Sequence, residues 1–306
     1  MLKRIFTVFV CLAVVGLITI SEGQQGSQKE SGGIPLAPVK IGDKWSYIDK
    51  TGKYVINQQF DNASSFSEGL ASVKIGDKWG YIDRTGKYVI NPQFENSLRF
   101  SQGLAPVQIG SKWGYIDRTG KYVINPQFDG AWYFTEGLAE VEIDYKCGYI
   151  DKTGKIVINP QFQFALHFSE GLARVIVIGG KWGYIDKTGK YVINPQFDHT
   201  GNFSEGLAMV EIGGKWGYID RTGKYVLNLQ FDGAWNFSEG LLPVGIGSKW
   251  GYIDKTGKTV INPQFDDARS FSEGLAPVQI GGKWGYIDKT GKIVINPQFD
   301  WAGDFK

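Results

Sequence analysis

Eight aspartates recur along this chain at near-constant spacing: Asp49, Asp83, Asp117, Asp151, Asp186, Asp220, Asp254 and Asp288. A row of carboxylates could hold cations or relay protons. Each is followed, however, by Lys or Arg, then Thr and Gly. That is turn chemistry, in which the carboxylate accepts backbone N–H groups and the glycine supplies the positive φ that closes a hairpin. No calcium-loop spacing accompanies them, and the contiguous Asp-Thr-Gly of aspartic proteases is missing. The segment "GYIDKTGKT" (251–259) ends like a phosphate-binding loop. Its first glycine stands one residue too far from Gly257, and no helical pattern follows to offer an N-terminus to a phosphate. His167 and His199 are the only histidines. With Cys147 they fall short of a zinc ligand set, so no metal or other cofactor is implied. Cys147 stands where other copies carry Trp and reads as a packed small residue, because a nucleophile would need a nearby base.

The residues that differ between copies are more informative. After each "QF" the chain reads "DNASSF", "ENSLRF", "DGAWYF", "QFALHF", "DHTGNF", "DGAWNF", "DDARSF" and "DWAGDF". Charge and aromaticity change here while the flanks stay constant. These tails supply candidate ligand or partner contacts: Trp132, Tyr133, Trp235 and Trp301, with Asp129 and Asp232 beside them, His167 and His199, and the cations Arg99 and Arg269. Flat aromatic rings beside carboxylates suit stacking on sugars or aromatic side chains.

What must position these tails is a repeat. Copies begin at Leu36, Leu70, Leu104, Leu138, Leu172, Leu207, Leu241 and Leu275, eight in all, 34 residues apart, the fifth longer by one. In the third, "LAPVQI" (104–109) alternates as a strand, "GSK" turns, "WGYID" (113–117) is a second strand and "KYVINPQF" (121–128) a third. A short fourth strand is expected around Ala131 to Phe134, and no stretch has a helical period. Three or four short strands cannot bury both faces alone, so neighbouring copies must pack together, with the repeated aromatics between them. The fold class predicted is all-β, tandem 34-residue repeats of three to four antiparallel strands. Near-equal copies without polar caps favour closure into an eight-bladed β-propeller over an open β-solenoid or superhelical hairpin array.

"KWGYIDKTGKYVINPQF" followed by "FSEGLA" resembles the bacterial WG (KWG) repeat family over nearly all of residues 36–306, in its Trp-Gly pair, its Tyr-Ile-Asp-x-Thr-Gly turn and its Phe-Ser-Glu-Gly connector. The departures are Ser46 for Gly, Cys147 for Trp and Leu229 for Pro. The resemblance implies a β-rich repeat and no particular activity.

The N-terminus carries its own signal. Lys3 and Arg4 precede an uncharged, mostly apolar run from Ile5 to Ile20, then small and polar residues. Residues 1–23 read as a signal peptide and 24–35 as a polar linker before the repeat domain 36–306; the alternative is an N-terminal membrane anchor. Lys plus Arg number 33 against 31 Asp plus Glu, with no long run of one sign, so nucleic acid is excluded as a partner. Removal of the leader leaves Cys147 as the single cysteine, and stability then rests on packing without a disulfide. The expectation is an exported, non-enzymatic binding or scaffold module for a protein, peptide or glycan partner. An enzyme with a single site on the scaffold and a purely architectural envelope protein are the alternatives.

Overall fold

The computed structural model describes residues 36–299, apart from 42, 49–52, 178 and 273. The leader, the linker, Asp49 and Trp301 lie outside the described residues. The described chain is all-β: a three-stranded sheet over residues 37–60, then seven four-stranded sheets, every pairing antiparallel and every strand next to its sequence neighbour. Two compact units divide at Phe231, the first holding six sheets and the second, from Asp232, holding two.

The fourth sheet illustrates the plan: Gly130–Ala131, Leu138–Ile143, Lys146–Asp151 and Ile156–Phe162. Its first strand is the tail of the preceding copy. The expected fourth strand around Ala131 to Phe134 is thus two residues long, begins at Gly130, and pairs with the following copy, Gly130 opposite Glu142 and Ala131 opposite Val141. The sequence repeat and the sheet are therefore out of phase. Each four-stranded sheet borrows a strand from the copy before it, which joins consecutive copies through backbone hydrogen bonds as well as side chains.

Of the repeated aromatics, the tyrosine is buried throughout and the tryptophan only in places, at Trp182 and Trp284. Tyr81, Tyr115, Tyr149 and Tyr184 are fully buried, whereas Trp79, Trp113, Trp216 and Trp250 are half-buried at the sheet margin. The buried phenols of Tyr47, Tyr81, Tyr115, Tyr149, Tyr184 and Tyr252 each donate to a tail carbonyl, as Tyr115 does to Trp132 O at 2.9 Å and Tyr149 to Leu166 O at 2.7 Å. The hydroxyl so escapes the cost of an unsatisfied donor in a low-dielectric interior. The Tyr face of one sheet packs on the small-residue face of the next: Tyr115, Ile124 and Phe128 against Ala131, Ala139 and Val141.

The glycine of the Trp-Gly pair answers to a close approach within its own sheet. A Cβ on Gly183 would stand 2.7 Å from Ile193 O and 2.7 Å from Pro195 N, where the last strand bulges past it. The atoms it admits are backbone of the adjoining strand in the same sheet, not of a neighbouring copy.

Candidate functional site

The aspartate row is structural wherever it is described. In Asp151, Oδ1 accepts from Thr153 N at 2.9 Å, Thr153 Oγ1 at 2.6 Å and Lys155 N at 3.1 Å, and Asp83, Asp117, Asp186, Asp220, Asp254 and Asp288 repeat the pattern. The threonine hydroxyl, then the backbone donors, hold the Asp117, Asp151 and Asp186 carboxyls below the ordinary range. A carboxylate so engaged is a poor proton acceptor.

The tail aspartates are also engaged. Asp129 pairs with Lys112 at 2.6 Å and accepts the Asp144 N–H at 2.9 Å, and Asp232 Oδ2 accepts the Gly247 N–H at 2.7 Å. These bonds tie each tail to the turn of the hairpin beside it. Trp132 is half-buried with its ring over Gly130, where an added Cβ would lie 3.0 Å from the indole. Trp235 is half-buried as well. Arg269 lies over the Trp284 ring at 4.6 Å. His199, with a side chain 68% exposed, stacks on Trp216 at 6.4 Å and 20°, its Nε2 3.8 Å from Glu211.

Within the first unit the structure brings three of the predicted residues into one line. Arg99 places its guanidinium 4.2 Å above the Tyr133 ring. The Tyr133 and His167 rings are 5.7 Å apart and tilted by 39°, and His167 Nε2 lies 3.1 Å from Asn202 Nδ2. Each of the four directly precedes the conserved-in-repeat phenylalanine of its tail, and all are half-buried. Four consecutive copies so contribute one side chain each to a continuous row of contacts across the sheets, with Arg99, Tyr133 and His167 in ring contact and Asn202 at its end in hydrogen-bond contact with His167. Its chemistry is donor-rich and partly cationic, suited to carboxylate oxygens or to another π face. Asn202 was not among the predicted contacts. Its place in the tail is the signal that could have found it.

The Phe-Ser-Glu-Gly connectors hold neighbouring copies together. Ser101 Oγ donates to Phe134 O at 2.6 Å. Glu68, at φ 52°, accepts the Gly103 N–H at 2.9 Å, and Glu136 the Gly171 N–H at 3.0 Å. Cys147 is 3% exposed, and burial, then the neighbouring Glu140 and Glu142, push its thiol up. A thiol held protonated is not a nucleophile.

The sequence profile described as WG containing repeat matches residues 45–79, 79–113, 113–147, 148–182, 182–216, 216–250, 250–284 and 284–306. No curated protein matches the chain. Among solved structures, a eukaryotic initiation factor is similar with a TM-score of 0.62 at 12% identity, over 87% of this chain and 85% of that one. The dihydro-heme d1 dehydrogenase NirN, in complex with DHE, gives 0.52 at 12% identity, over 92% and 77%. At such identities the likeness concerns the fold alone.

Proposed function

Because this chain belongs to the WG containing repeat family, we propose that its copies act together as an exported, non-enzymatic binding scaffold for a protein, peptide or glycan partner, the sheets being blades of a β-propeller. The observation that carries the reading is the stack of Arg99, Tyr133, His167 and Asn202, in which residues that differ from copy to copy become contiguous. A repeat that only filled space would have no use for a different polar group at each equivalent position. Variation presented in a line by an otherwise uniform frame is how repeat proteins build extended recognition surfaces.

The test is a binding screen of the exported protein against peptide and glycan arrays, with Arg99→Glu and Tyr133→Ala as variants. Selective loss of a saturable ligand at unchanged melting temperature supports the reading, and absence of any saturable ligand favours the architectural alternative. Mass spectrometry of the extracytoplasmic fraction should find a terminus near residues 22–26, since the apolar run ends at Ile20. The propeller arrangement requires a radius of gyration near 18 Å for roughly 270 residues, and a rod-like scattering profile would overturn it.

A further inference from the structure

The fourth sheet departs from its neighbours at one row. Elsewhere this row ends in the repeated tryptophan, packed on the first residue of the short strand: Phe164 meets Trp182 edge-on at 6.0 Å, and a Cβ on Gly233 would come within 2.6 Å of Trp250. In the fourth sheet the row reads Gly130, Glu142, Cys147, in register across three strands. The missing indole is supplied from the next row by Trp132, which covers Gly130. Glu140, opposite Tyr149 in that deeper row, is 3% exposed, and its Oε1 has no hydrogen-bond partner. Equivalent positions elsewhere hold Pro38, Ser72, Pro106, Arg174, Met209, Pro243 and Pro277, none of them an acid.

A buried carboxyl group without a counter-charge is costly, and nothing in the neighbouring sheet offsets it. The fifth sheet presents Ala165, Ala173 and Val175 to this face. Its guanidinium, on Arg174, bonds the Thr200 carbonyl and lies over Trp182 instead. Burial raises the Glu140 carboxyl well above its ordinary range, and burial with the nearby Asp129 raises that of Glu142. Neither has a cationic partner among the described residues. Two carboxyl groups thus act on one thiol, beside the Gly130 that the Trp132 ring covers, and no set of three metal-ligating side chains exists among the described residues.

We propose that Glu140 and Glu142, under the Trp132 ring, form a site for a primary alkylammonium group such as a lysine side chain. The ammonium would take a hydrogen-bond acceptor from each carboxylate and the π face of the indole. On binding, Glu140 passes its proton to solvent, so that an alkylammonium and a carboxylic acid become an ion pair and one proton enters the buffer. The site is separate from the stack of Arg99, Tyr133 and His167, and its failure leaves that reading intact.

Titration calorimetry of the exported protein with n-butylammonium and with the peptide Gly-Lys-Gly, in two buffers of different ionisation heat, tests the site. The expected result is saturable one-to-one binding with proton release, at least tenfold weaker in Glu140→Gln, which keeps shape and burial. Cys147→Trp, restoring the side chain of the other copies, should abolish it; n-butanol should give no saturable heat. Equal affinity in Glu140→Gln, or no saturable binding of either probe, overturns the proposal. Circular dichroism confirms folding of each variant, and if Cys147→Trp fails to fold, Glu142→Gln takes its place with the same tenfold criterion.

Discussion

The hydroxyl of Ser169 donates to the carbonyl of Phe203 at 2.8 Å, across thirty-four positions and from one copy to the next. The same bond joins Ser67 to Phe100 and Ser238 to Phe271, both at 2.7 Å. It satisfies a carbonyl at the start of a connector that no strand pairs, and so ties two copies where neither could close alone.

Ser169→Ala should therefore cost about 1 to 3 kcal/mol, the penalty of an acceptor left buried without its donor. Thr135 stands at the equivalent position in another copy, and its hydroxyl is buried with no partner. Thr135→Ser, free to turn toward the carbonyl, should stabilise by about 0.5 to 1.5 kcal/mol. Urea unfolding of the two variants reads both signs. Opposite shifts in midpoint are expected, and equal shifts would refute the account.

Gly183 meets backbone on the facing strand, not a flexible side-chain end that could swing aside. Even Gly183→Ala should be destabilising, by about 3 kcal/mol, at the upper end of ordinary overpacking costs. Gly137, which has open space around its Cβ position but sits at φ 90°, provides a comparison: its alanine variant should lose about 1 kcal/mol through backbone strain alone. Melting temperatures that rank the two the other way would show that the bulge yields.

Glu140 makes stability depend on pH. The unfolded chain ionises this group from about pH 4.5 upward, while the folded chain retains the proton because its carboxyl is raised by burial. Stability contributed by the neutral group is present below that pH and declines by about 1.4 kcal/mol per unit until the folded carboxyl titrates. The groups facing it are Cys147, Glu142 and Tyr149 of its own sheet, Tyr115 of the sheet before and the apolar Ala165 and Val175 of the next. Glu140→Gln should be no more stable than the parent near pH 4 and progressively more stable toward pH 7, measured by denaturant midpoints. The turn aspartates act oppositely: Asp151 and Asp186, lowered by their threonine bonds, contribute stability above the ordinary carboxylate range that is lost as acid protonates them.

Tyr145 stands 66% exposed at the tip of the fourth sheet's second hairpin, with φ at 62°, directly after Asp144 at 50°. Glycine occupies the position equivalent to Tyr145 in the sixth and eighth sheets, at Gly214 and Gly282, both at φ 77°, without this strain. Tyr145→Gly should raise stability by about 0.5 to 1 kcal/mol, the left-handed penalty less the entropy that glycine adds to the unfolded chain. An unchanged or lowered urea midpoint would mean that the tyrosine ring repays its strain by packing.

The repeat itself was legible from the sequence: near-identical segments at fixed spacing with period-two alternation admit little besides short antiparallel strands, and Asp-x-Thr-Gly encodes its turn within four residues. Such features are local, set by the residue and its immediate neighbours. What tertiary structure decided is what depends on the next copy. That the tail strand belongs to the following sheet, that every described copy buries its tyrosine but only some bury their tryptophan, and that Ser169 and Glu136 bind across copies all follow from stacking geometry, to which a one-dimensional repeat is blind. The same reason hid the stack of Arg99, Tyr133, His167 and Asn202: each residue is unremarkable in its own tail, and only packing one sheet on another brings planar groups thirty-four or thirty-five positions apart to within contact.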